Sequence, residues 1–268
     1  MPTLTARTGD IAYTDAGKGR PILLLHATLH DRHDFDAVTD RLARRHRVIA
    51  VDWPGHGESA SATGVTGPLL ADVLEDVVDA LRLHDVVLIG NSVGGSAAAR
   101  LAINRPEQVA GLVLVNTGGF VPNTAFTNAF CRLMGTPRLT RLIMPRFVPA
   151  YMCARTPGDQ RIAARATARA GTRMGAATAA SLWRSFATPQ YDLRGDAHRI
   201  AAPTLIVWGD RDPLVSLRVG RATHRAIAGS TLEVLHTGHV VFSSDPDGFL
   251  ALVEPFLKRV EAAAADSR

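Results

Sequence analysis

The stretch VVLIGNSVGGSAAAR, residues 86–100, joins a strand-like pattern to a helix-like one across a single serine. Val86–Ile89 is a short β-branched run that reads as a strand buried on both faces. From 93 to 104 the residues are small and the segment has helical length. Between the two, Gly90, Ser92 and Gly94 spell G-x-S-x-G. In such a strand–turn–helix, the strained turn lifts the serine Oγ clear of the strand end. Glycines two residues to either side let strand and helix approach closely, and the helix N-terminus aims backbone N–H groups at a developing anion. The competing reading is an ordinary turn serine. The flanking strand and helix favour a nucleophile at Ser92.

The same alternation extends outward. Ile22–Leu25, Val48–Val51, Leu112–Val115 and Leu205–Trp208 are further buried-strand runs, and segments near 36–45 and 68–83 have helical spacing. Strands alternating with helices predict an α/β fold with a doubly wound, mostly parallel sheet and right-handed crossovers. The alternation stops after Val115 and resumes at Pro203. The intervening stretch reads as several helices broken at Pro137, Pro145, Pro149, Pro157 and Pro189. This divides the chain into a core domain of residues 1–118 and 198–268 and a helical cap at 119–197. An insertion at the carboxyl end of a strand lies where open α/β sheets bind ligands. Ala262–Arg268 reads as a fraying helix end.

The 268 residues suffice for a sizeable core, and 46% of them are hydrophobic. No apolar run is long enough to span a bilayer, and MPTLTARTGD at the N-terminus has no signal pattern. A cytoplasmic protein is expected. Cys131 and Cys153 lack metal-type spacing and read as ordinary thiols. The net charge is +5, carried almost wholly by arginine, since Lys18 and Lys258 are the only lysines. No basic cluster is interleaved with aromatics and no finger spacing occurs, so no nucleic-acid partner is expected.

A serine nucleophile needs a base, and the base needs an orienting acid. TLIVWGDRDPLV offers Asp210 and Asp212 after a buried strand, and LHTGHVVFSSDPDGF offers His236 and His239. The order Ser, Asp, His suits a serine that sits mid-sheet. At this point the chain resembles the α/β-hydrolase family over almost its whole length. VDWPGHGES is similar to that family's D-x-x-G-x-G loop, GNSVGG to its nucleophile elbow, WGDRDPLV to its acid loop, and TGHVVFSSDPDGFLALVEPFL to its histidine loop and last helix. The resemblance implies a triad of Ser92, Asp212 and His239. The rivals are Asp210 as acid and His236 as base. Asn116, where some members place the acid, carries no charge. His56, in a glycine-flanked loop with no Lys-Ser/Thr pair after it, reads as structural.

LLLHATLHDRHDFD, residues 23–36, gathers three histidines and three aspartates and could suggest a metal site. Their spacing is not a recognised ligand pattern, so no metal is expected. The segment instead resembles the family's H-G-x oxyanion segment. That implies an oxyanion hole made by the backbone N–H groups of Thr28 and Val93, with His26 as a structural member of the loop. The family's glycine is replaced by Ala27, which would be strained if that position needed a positive φ.

Within 119–197 the acids are Asp159, Asp192 and Asp196, and there is no glutamate. Arg161, Arg165, Arg169 and Arg173 recur every four residues along one helix face. The plain reading is a solvated face; the functional one is steering of an anionic substrate. Phe126, Phe130, Leu133, Met134, Phe147, Trp183 and Phe186 read mostly as cap core, with a few lining a pocket. Substrate contacts are expected from His30, Phe130, Trp183 and Val240.

The expected activity is hydrolysis of small or medium carboxylic esters, thioesters or lactones through an acyl-enzyme on Ser92. No cofactor is expected. The substrate is a small molecule, an anionic one included, with no membrane partner, and the protein is a monomer or homodimer. The alternatives are carbon–carbon bond hydrolysis of a ring-cleavage diketone, a cofactor-free haloperoxidase or perhydrolase, and a ligand-binding receptor on the same scaffold.

Overall fold

Residues 2–266 are described by a computed structural model. The chain opens with two antiparallel strands, β1 (Thr3–Ala6) and β2 (Gly9–Ala16), followed by β3 (Pro21–Leu25), α1 (Asp36–Leu42), β4 (Arg47–Val51) and α2 (Gly67–Ala80). Next come β5 (Val86–Asn91), α3 (Val93–Asn104) and β6 (Val109–Val115). Four helices then intervene: α4 (Ala125–Met134), α5 (Pro137–Met152), α6 (Pro157–Gly171) and α7 (Arg173–Phe186). The sheet resumes with β7 (Thr204–Gly209), α8 (Leu217–Ala226) and β8 (Thr231–Leu235), and the chain closes with α9 (Val241–Ser244) and α10 (Pro246–Asp266).

The eight strands form one sheet in the order β1-β2-β4-β3-β5-β6-β7-β8. From β4 through β8 every pairing is parallel, while β2 runs antiparallel to both of its neighbours. The α/β sheet read from the sequence is therefore present, with β1, β2 and β8 added at its two edges. Alternate residues of each central strand enter opposite cores. Leu23 and Leu25 belong to the core that also takes in α2, α3 and α8, whereas Ile22 and Leu24 belong to the one that takes in α1, α9 and α10. Burial on both faces explains why these strands read as continuous apolar runs.

Helix starts follow capping chemistry. Thr66, Thr124, Thr156 and Thr172 each accept a hydrogen bond from a first-turn N–H, and Thr124 and Thr156 complete reciprocal capping boxes. Pro137 and Pro157 sit in first turns, where their missing N–H costs nothing. Pro145 and Pro149 lie inside α5 and do not break it, contrary to the expectation from sequence. The tail falls partly outside the described residues, and α10 runs to Asp266. Among the described residues no helix is long and apolar enough to cross a membrane.

Gly220 on α8 rests against the indole of buried Trp208, where an added Cβ would lie 2.6 Å from ring carbon Cδ2. Alanine would gain about 1 kcal/mol of helix propensity. Overpacking costs about 1–3 kcal/mol. Gly220→Ala is therefore expected to destabilise the protein, seen as a lower urea midpoint at unchanged slope.

Candidate active site

Ser92 stands between β5 and α3 with φ 55° and ψ −115°, a left-handed turn conformation unusual for a residue with a Cβ. Its backbone is pinned on both sides: its N–H donates to Val115 O at 3.0 Å and its C=O accepts from Gly118 N at 2.9 Å. Gly90 and Gly94 are required by close approach. A Cβ on Gly90 would collide with the Gly94 carbonyl, and one on Gly94 with the carbonyls of Leu25 and His26. The elbow thus seats directly on the end of β3, where the candidate oxyanion segment begins.

His239 and Ser92 line the same cavity. His239 Nδ1 lies 2.6 Å from Asp212 Oδ2. That oxygen also accepts from Asn116 Nδ2 at 2.6 Å, while Oδ1 accepts from the N–H groups of Leu214 and Val215 at 2.7 and 3.2 Å. All of the carboxylate's contacts come from donors, which suits a buried anion. The rivals, Asp210 and His236, instead pair with each other at 2.9 Å on the exposed side. In the sequence Asn116 stands out only for lacking charge. Here it clamps the acid loop, since its Oδ1 also accepts from Gly209 N at 2.8 Å. Asn91 has no signal in the sequence, yet its side-chain amide donates to the carbonyls of both Val115 and His239 at 3.0 Å.

The histidine loop presses on the end of α5. His239 N–H donates to Tyr151 O at 3.0 Å, and a Cβ on Gly238 would collide with the carbonyls of Tyr151 and Met152.

His26 governs the candidate oxyanion segment. Its Nε2 accepts from Trp53 N at 2.9 Å, so the ring proton sits on Nδ1 and is donated to Ala27 O at 2.7 Å. The same carbonyl accepts from His30 N at 3.2 Å. The Ala27–Thr28 peptide is planar, so holding its oxygen on one side turns the Thr28 N–H to the other. The following peptide is held by His56, whose Nε2 accepts from Leu29 N at 3.2 Å while Nδ1 donates to Pro54 O. The positive φ of this loop falls on Leu29, at 71°, and not on Ala27, so alanine is unstrained there. Arg169 of α6 completes the cradle, donating to the carbonyls of Leu29 and His30 at 2.7 and 2.6 Å and to Asp31 at 3.0 Å.

Burial lowers the pKa of His26 to about 3 and holds His56 well below the ordinary histidine range, so both rings stay neutral as their acceptor roles require. Burial pushes the Asp31 carboxyl up, but Arg165 and Arg169 outweigh it and hold Asp31 well below the usual range. The Arg165 and Arg169 pair is thus not a solvated face, whereas Arg161 and Arg173 are exposed.

The cavity has a volume of about 370 Å³. Ala27, Thr28, Ser92 and His239 form its floor, and α4, α5 and α7 contribute a largely aromatic wall that includes Phe130, Phe147, Trp183 and Phe186. Two expected substrate contacts lie elsewhere. His30 is buried outside the cavity, with Nδ1 2.5 Å from Asp34 and Nε2 2.8 Å from the Tyr151 hydroxyl. Val240 is fully buried in the core beneath the site. Phe126 and Leu133, expected as cap core, are 80% and 49% exposed. Among the described residues no group of three His, Cys, Asp or Glu side chains is placed to hold a metal ion.

A family model described as the alpha/beta hydrolase family matches residues 22–252. The chain belongs to the α/β-hydrolase family. It is 29% identical, over an alignment 286 positions long, to an uncharacterized protein of Mycobacterium tuberculosis, covering 99% of this chain and 84% of that one. It is also 29% identical over 255 residues to a pimeloyl-[acyl-carrier protein] methyl ester esterase of Neisseria meningitidis, covering 90% and 94%. Among solved structures, a thermophilic esterase from Thermogutta terrifontis superimposes with a TM-score of 0.84 at 24% identity, over 97% of this chain and 98% of that one. The α/β-hydrolase assignment makes this chain an enzyme of the hydrolase class.

Neutral His26 and His56 set an acid limit on stability. Both have depressed pKa values in the fold, so below about pH 6.5 the unfolded chain takes up protons that the folded one refuses. Their stabilising contribution is full above that pH and declines as pH falls toward 3. Denaturation midpoints measured from pH 7 down to 4 are expected to fall, and to fall less steeply in His26→Gln.

Proposed function

We propose that this α/β-hydrolase is a serine hydrolase that cleaves small or medium carboxylic esters, thioesters or lactones through an acyl-enzyme. The observation that carries this reading is the convergence of a strained strand–helix serine and an Asp212-held histidine on one cavity. Ser92 Oγ attacks the carbonyl carbon while His239 Nε2 takes its proton. Asp212 accepts from Nδ1–H, which fixes the tautomer and stabilises the cationic ring. The N–H groups of Thr28 and Val93 receive the oxyanion. As the first residue of α3, Val93 has no intrahelical acceptor for its N–H. Each such donor is worth about 3 kcal/mol in the transition state. His239 then protonates the leaving alcohol, thiol or lactone oxygen, and water, deprotonated by the same ring, releases the acid.

The helices between β6 and β7 act in this reading as a cap that encloses the substrate. A cavity of about 370 Å³ with aromatic walls suits an apolar acyl or alcohol group of modest size. The ester reading is supported by the meningococcal relative named for a methyl ester.

A fluorophosphonate probe is expected to label Ser92 in the wild type and nothing in Ser92→Ala, read by peptide mass spectrometry. Absence of label on folded wild-type protein would exclude an activated Ser92. With a soluble chromogenic ester, Asp212→Asn should lose about four orders of magnitude in kcat. Arg169→Ala should lower kcat by about ten- to a hundredfold with KM little changed, because it loosens the oxyanion loop without touching the cavity.

A further inference from the structure

Large exposed apolar side chains are concentrated in one part of the molecule. Phe126, Phe130, Leu133, Leu142, Ile143 and Met174 all belong to the helical insertion, and among the described residues only Val234 lies outside it. On α4, positions 126, 130 and 133 follow an i, i+4, i+7 spacing and so form one stripe. Its first two members also line the cavity above Ser92. Its last, Leu133, accepts at its carbonyl from Thr136 N, at the start of α5. There a groove of about 660 Å³ is lined by Pro137, Arg138, Arg141, Leu142, Arg173 and Ala176.

Charge on this surface is one-sided. From Gly119 to Gly158 the sequence has five arginines and no acid. Arg132, Arg138, Arg141 and Arg173 are exposed and, among the described residues, have no carboxylate partner. Unpaired arginines beside exposed Leu142 and Met174 are not how a water-facing helix is usually finished; ion pairs or polar side chains normally take those places.

We propose that the α4–α5 face and the adjoining start of α7 dock on an anionic lipid surface. Arg138, Arg141 and Arg173 bind headgroup phosphates, and the tips of Leu133, Leu142 and Met174 enter the acyl boundary. Guanidinium groups match phosphate oxygens in bidentate geometry, and their aliphatic stems lie against apolar surroundings while the charge stays at headgroup level. The contact is peripheral and needs no spanning segment. It brings the apolar stripe that leads to the catalytic cavity against the bilayer. An acidic protein would satisfy the arginines alone, but it gives no reason for six exposed apolar side chains around them.

Sedimentation of the full chain with phosphatidylglycerol-containing vesicles, compared with pure phosphatidylcholine vesicles, tests this. The wild type is expected to bind only the anionic vesicles and to be released by salt. R138Q/R141Q/R173Q should weaken binding by about tenfold or more. L133S/L142S/M174S should also weaken it, although its charge is unchanged. Both variants should retain the wild-type circular dichroism spectrum and, if the serine-hydrolase reading holds, wild-type turnover of a soluble ester. No binding to anionic vesicles at low salt would overturn the proposal. So would vesicle binding that neither variant diminishes, or an arginine variant that loses an acidic carrier protein while keeping its lipid affinity.

Discussion

A planar peptide bond cannot turn its N–H without turning its C=O. That constraint organises the site. The Ala27 carbonyl is held by His26 and by the His30 N–H, which fixes the direction of the Thr28 N–H without any bond to the N–H itself. His26 can donate there only because Trp53 N–H occupies its other nitrogen, and Trp53 lies two residues past the end of β4. Gly94 packs on the carbonyls of Leu25 and His26, so the serine turn and the segment after β3 are located by the same few backbone atoms. Neutrality of two buried histidines is therefore a geometric requirement as much as an electrostatic one.

The sheet was legible because its central strands are buried on both faces and bounded by turns. β1, β2 and β8 were missed: they are edge elements with mixed exposure, and β8 carries Glu233 in a run that is only partly buried. Strand–loop context and chain order are enough to single out Ser92, Asp212 and His239 in the sequence, and in the fold Ser92 and His239 line one cavity with Asp212 on the ring. His30 was misplaced because its surroundings are tertiary. Position after a strand suggests a substrate contact, but Asp34 and a tyrosine 121 residues away draw the ring inward. Asn91 gave no signal at all, since a buried amide joining two carbonyls looks in sequence like any strand-end asparagine. The arginine ladder looked solvated because the aspartates that engage Arg165 and Arg169 lie more than 130 residues earlier.

The insertion divides into two parts with different attachments. α6 is tied to the core by its buried Asp159, which accepts from Ser243 and Ser244 at 2.6 and 3.1 Å, and by Arg165 and Arg169. The end of α5 is tied by Tyr151 through both its carbonyl and its hydroxyl. α4 makes its aromatic contact with α7, where Phe130 meets Trp183 edge-on at 5.5 Å, while Phe126 and Leu133 of the same stripe stay exposed.

These attachments limit how the fold can be recombined. The four helices occupy one uninterrupted stretch of chain and look like a cassette that could be exchanged whole for another. The His239 loop, however, rests on carbonyls supplied by α5, and the loop after β3 on a guanidinium supplied by α6. A transplanted insertion would remove those supports while leaving Ser92, Asp212 and His239 in the chain. α4 supplies neither of these supports, so an exchange confined to that helix would change the wall it shares with α5 and α7 and leave both supports in place.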